Sequence, residues 1–91
     1  MNFVKLVQFT RLVKAEGRLR EFNFRKMNSP DAGLFSVNVC NERGDRIHFN
    51  MEKKDNGWRI QAAELPPWIV QNEKKLDEAI EDELQNGSPK F

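Results

Sequence analysis

Phe35-Ser36-Val37-Asn38-Val39-Cys40 and Arg46-Ile47-His48-Phe49-Asn50-Met51, joined by Asn41-Glu42-Arg43-Gly44-Asp45, decide the architecture. Apolar and polar residues alternate in both segments, as they do where successive side chains of a half-buried strand point to opposite faces. Setting Val39 against Ile47, Val37 against Phe49 and Phe35 against Met51 gives every apolar residue an apolar partner. It leaves Glu42-Arg43-Gly44 as a three-residue loop, with Gly44 where a left-handed conformation is wanted. A slip of one residue would place valines opposite His48 and Asn50, so this pairing is strongly specified.

The same logic extends the sheet in both directions. Downstream, Met51 opposite Trp58 and Phe49 opposite Ile60 predict a hairpin looped through Lys53-Lys54-Asp55-Asn56, followed by Gly57. Upstream, Phe24 opposite Phe35 and Phe22 opposite Val37 put Asn28-Ser29-Pro30-Asp31, all good turn formers, in the connection. Past Pro66 and Pro67, which suit a helix entry, Ile69, Leu76, Ala79, Ile80 and Leu84 recur at helical spacing opposite a charged face. About 18 helical residues at 1.5 Å each would span about 27 Å, ending at Asn86-Gly87.

Residues 3–15 read two ways. Their β-branched and aromatic enrichment tips them towards a strand turned back by Glu16-Gly17 into Leu19–Met27. Against this, the strand puts Arg11 near Arg20 or on the oily face, and a helix capped by Asn2 and ending at Gly17 is the alternative. The fold class is α+β: an antiparallel β-meander of four to five strands with a C-terminal amphipathic helix packed on one face. Residues 1–87 form one domain, with residues 88–91 as a flexible tail.

Composition narrows the function classes. The 91 residues are 38% hydrophobic and 32% charged, a globular balance rather than a disordered one. No apolar run reaches the roughly 18 residues of a membrane span, and the start of the chain does not read as a signal peptide. The single cysteine, Cys40, permits no internal disulfide and fits a cytoplasmic setting. Net charge is only +1, yet residues 1–26 hold seven cations against two acids while residues 63–91 hold seven acids against three cations. The two ends of the chain are expected to attract one another.

The alternation also dictates a polar face. Its expected rows run Glu21–Asn38–His48–Gln61 and Asn23–Ser36–Asn50–Arg59, with Cys40 beside Arg46 and Arg25 beside Leu34. The interaction face is therefore assigned to Asn23, Arg25, Asn38, Arg46, His48, Asn50, Arg59 and Gln61. His48 and Cys40 lie diagonal to one another, but a flat sheet gives them neither a pocket nor oxyanion donors, so no catalytic site is assigned. One cysteine and one histidine do not make a closed zinc site, and no phosphate-cradling loop occurs; no metal and no cofactor are expected. Trp58 and Trp68 are assigned to the core, packed where the helix meets the last strand.

The sequence thus points to a non-enzymatic interaction domain that contacts a protein through its polar sheet face or an unpaired edge, where a second copy could also add to form a homodimer. The alternative is a single-stranded nucleic-acid module using Arg25, Arg46 and Arg59. Its layout is similar to that of several such modules, the PUR repeat among them, although no residue motif of those families is present. That reading suffers from the lack of an exposed aromatic for base stacking.

Overall fold

The computed structural model describes residues 7–27 and 33–86. Five strands, β1 Gln8–Ala15, β2 Arg18–Lys26, β3 Leu34–Cys40, β4 Arg46–Lys54 and β5 Gly57–Gln61, are followed by helices α1 Pro67–Val70 and α2 Glu73–Asn86. The strands lie in one antiparallel sheet in chain order, curled into a half-barrel. Helix α2 packs against β5 and β1, the first and last strands of the sheet, so it lies across the open side of the curl.

Residues 8–15 are a strand, as their side chains favoured. Glu16 (φ 54°) and Gly17 (φ 78°) both take left-handed backbone, the geometry of a two-residue turn whose twist matches its strands. Glutamate is a costly residue there, by about 1 kcal/mol. Arg11 does project to the inner face, opposite Phe22. What makes this tolerable is α2: Arg11 Nη2 donates to Asp82 Oδ2 at 2.8 Å and Glu83 Oε1 at 3.2 Å. The basic N-terminal strand and the acidic helix meet in that pair.

The β3–β4 pairing is the expected one, from Phe35–Met51 to Val39–Ile47, and Gly44 sits at φ 87°. Asn41 organises this turn, its Oδ1 accepting from the amides of Arg43 and Asp45 at 2.9 Å each. The two neighbouring registers differ from expectation by two residues. Phe22 lies opposite Val39 and Phe24 opposite Val37, rather than Val37 and Phe35. Met51 lies opposite Ile60 and Lys53 opposite Trp58, rather than Met51 opposite Trp58 and Phe49 opposite Ile60. A two-residue shift keeps every side chain on its face, so alternation does not discriminate between such registers. Turn geometry does. With Gly57 at φ 120°, Asp55-Asn56 suffices as the loop and pairing continues to Lys54–Gly57. The expected Asn28–Asp31 connection and the tail after Gly87 lie outside the described residues.

Phe22, Phe24, Phe35, Val37, Val39 and Met51 from the sheet join Ile69, Leu76 and Ile80 in a core where each is buried. Phe9 stacks on Phe24 with centroids 4.6 Å apart, and Phe35 meets Trp58 edge-on at 5.0 Å. Both tryptophans are buried, but only Trp58 packs where the helix meets the last strand, as both were expected to. Trp68 lies edge-on to Phe22 at the β2 side, under the Arg20 guanidinium 4.5 Å away. Arg20 is buried there, donating to the Cys40 carbonyl at 3.4 Å with Glu16 and Glu42 at 3.8 and 3.6 Å.

The single helix expected from the spacing is broken in two. Asn72 Nδ2 donates to the Trp68 carbonyl at 2.7 Å, closing α1, while the Asn72 carbonyl accepts from Leu76 N at 2.9 Å, opening α2. One asparagine thus serves both ends, as its competition with backbone partners favours. The 14 residues of α2 span about 21 Å. Leu84, expected on the buried stripe, is instead 46% exposed.

Candidate interaction surface

Even-numbered residues of β1, β3 and β4 and odd-numbered residues of β2 and β5 face outward, so the eight side chains assigned to the interaction face do share the outer surface. The registers rearrange them. Asn23 lies opposite Asn38 and Asn38 opposite His48; Arg25 lies opposite Ser36, Ser36 opposite Asn50 and Asn50 opposite Gln61. Glu21 therefore drops out of the Asn38 row, Gln61 is not beside His48, and Arg25 is not beside Leu34. Arg59 pairs with Glu52 in register and gives Nη1 to Glu73 at 3.2 Å, so it is not a free cation of this face. Cys40 is opposite Arg46, as expected.

A polar relay missed by the sequence reading crosses four strands. Thr10 Oγ1 donates to Asn23 Oδ1 at 2.6 Å, Asn23 Nδ2 to Asn38 Oδ1 at 3.1 Å, and Arg46 Nη1 to the same Asn38 oxygen at 2.6 Å. Thr10 escaped notice because the strand identity of its segment was itself in doubt. The relay orders one side chain per strand, which lowers the entropy that a partner must otherwise remove. Beside it Gln8, Phe9, Thr10, Asn23, Phe24, Arg25 and Asn38 line a shallow depression of about 380 Å³. No group of three or more His, Cys, Asp or Glu side chains among the described residues could hold a metal ion.

The two edges of the sheet differ sharply. In β5, Gly57, Arg59 and Gln61 turn their amides to β4, leaving the N–H groups of Trp58 and Ile60 pointing outward. Both are taken by α2: Asp77 Oδ1 accepts from Trp58 N at 2.8 Å and Glu73 Oε2 from Ile60 N at 2.8 Å. Spaced four apart, the two carboxylates stand on one helix face and match the two-residue repeat of outward amides along the strand. Nearby, Glu81 accepts from Trp58 Nε1 at 3.0 Å and Lys53 Nζ at 2.6 Å. At the other edge, the Lys26 N to Val7 O bond and the register make Phe9, Arg11, Val13 and Ala15 the residues bonded to β2. Gln8, Thr10, Leu12 and Lys14 turn their backbone groups outward. No side chain of the described residues is bonded to them, and α2 reaches β1 through side-chain ion pairs.

The Lys53 ammonium foremost, then the Trp58 indole N–H, hold the Glu81 carboxyl below the usual glutamate range against the opposing effect of burial. A depressed carboxyl adds stability above its ordinary pKa and loses it as pH falls through the lowered value. Glu81→Gln is therefore expected to flatten the fall in Tm between about pH 6 and pH 3 relative to wild type, measured by circular dichroism. Equal acid slopes for the two proteins would refute this role.

Among the described residues no helix is long and apolar enough to cross a membrane. Compared with protein-family models, curated proteins and solved structures, the chain matches none of them.

Proposed function

We propose that this chain is a non-enzymatic interaction domain that engages another protein along its β1 edge and the adjoining outer face. The observation that carries the reading is the asymmetry of the edges: β5 has its outward amides capped by two helix carboxylates, whereas among the described residues no side chain caps those of β1. Edges are usually blocked against strand addition, so an edge left open beside an ordered polar face is a place where a partner strand can bond. The relay from Thr10 to Arg46 supports the same side of the molecule as the contact surface.

The nucleic-acid alternative draws less support. Of its three arginines, Arg59 is engaged by Glu73 and Arg46 by Asn38, and the aromatic rings of the five strands pack inward. Phosphate contacts and stacked bases would both be in short supply.

A photo-crosslinking amino acid placed in cells at Leu12, or separately at Asn50, tests the reading. Protease-sensitive adducts from Leu12 are expected. Nuclease-sensitive adducts from Asn50, with none from Leu12, would overturn it in favour of the nucleic-acid reading.

A further inference from the structure

We infer that the β1 edge accepts an extended segment of another protein in which an apolar residue and an acidic residue stand two positions apart. The inference rests on the strand-addition reading above and adds the chemistry of the occupant. A strand bonded to Gln8, Thr10, Leu12 and Lys14 would lay alternate side chains beside these four on the outer face, since cross-strand neighbours lie about 5 Å apart. Leu12 is 63% exposed there, and Leu19, diagonal to it across the hairpin, is exposed equally. Together they offer an apolar side chain a surface to cover. Lys14, one repeat along, is exposed and has no ion-pair partner among the described residues. An acid two positions from the apolar residue would meet it.

The other set of side chains would enter a groove of about 390 Å³ between β1 and α2. Its walls include Val13 and Ala79, both buried, with Lys75 and Glu78 on the helix side. Mixed charge at that rim favours small or polar side chains and gives no further preference of sign. A second copy of the chain meets these demands poorly. Its own β1, Gln8–Ala15, contains no acid, so a self-paired strand leaves Lys14 without an opposite charge.

The probes are two labelled peptides, Val-Thr-Glu-Thr-Val-Thr-Glu-Thr and its counterpart with lysine for glutamate, titrated by fluorescence anisotropy and by amide shifts of the full chain. The glutamate peptide is expected to bind about fivefold or more tightly than the lysine peptide, shifting Thr10, Leu12 and Lys14 first. Lys14→Glu should reverse the order of the two. Leu12→Pro should abolish binding, because it removes an outward N–H and leaves every bond to β2 in place; Thr10→Pro serves the same purpose if Leu12→Pro melts early. If both peptides bind β1 equally, the acidic occupant is refuted while strand addition stands. If neither shifts β1, strand addition falls and the inference with it. A concentration-dependent dimer that Leu12→Pro dissociates would make a second copy the occupant and overturn the proposal.

Discussion

Leu76→Asp and Ile80→Asp are each expected to abolish the cooperative unfolding transition, leaving a chain without near-ultraviolet circular dichroism at 25 °C. Both side chains are fully buried where α2 covers the sheet. Shortening such a residue to alanine costs about 2–5 kcal/mol, and a carboxylate in the same place adds the burden of an unpaired buried charge. A domain of this size is stable by roughly 5–14 kcal/mol at most, so the substitution consumes most or all of it. Glu78→Ala, on the exposed flank of the same helix, is expected to shift the urea midpoint hardly at all. Aspartate variants that melt like wild type would show that α2 does not pack as described.

The paired substitution Glu73→Ala and Asp77→Ala should cost about 3–5 kcal/mol, since each carboxylate accepts a charge-assisted bond from an otherwise unsatisfied strand amide. A second effect separates it from an ordinary loss of helix stability. With the β5 edge bare, the protein should self-associate at concentrations where wild type does not, seen as a rising weight-average mass in sedimentation equilibrium. Conservative Asp77→Asn, which keeps an acceptor oxygen, should restore part of the stability and suppress association. A destabilised but strictly monomeric double variant would contradict the capping role. Gly57 adds a constraint from the other side. A Cβ on this residue would stand 2.8 Å from Asp77 Oδ1, in a backbone conformation of positive φ. The glycine both turns the hairpin and leaves room for the carboxylate that caps its neighbour.

The part of this architecture that could be read from the chain is the part set by local alternation. Val37, Val39, Ile47 and Phe49 could not slip by one residue without burying His48 or Asn50, and the turn at Gly44 picked out one of the registers that alternation allows. The flanking hairpins obeyed the same alternation but admitted a two-residue shift, which preserves the faces and so leaves no trace in the pattern of Phe22, Phe24, Trp58 and Ile60. Arg11 misled in the opposite sense. An arginine on an oily face argues against a strand until its partners are known, and Asp82 and Glu83 lie more than seventy residues away. The capping of β5 was hidden for another reason, since Glu73 and Asp77 lie only 13 and 19 residues from the amides they cap. Glu73 and Asp77 look like ordinary members of a solvated helix face, and only the docked helix reveals which carboxylates face strand amides. Outward-facing side chains such as Asn23, Asn38 and Asn50 were legible by parity; the difference between the edges was not.

Because the helix that fills the curl also caps β5, hydration of the core and release of a sticky strand are one event rather than two. Fraying of α2 from its Glu73 end frees the amides of Ile60 and Trp58 in turn while it uncovers Leu76. The exchange of those two amides with solvent therefore reports helix docking directly. The same opening bares a second sheet edge in addition to that of β1, so self-association through β5 is governed by how firmly α2 holds.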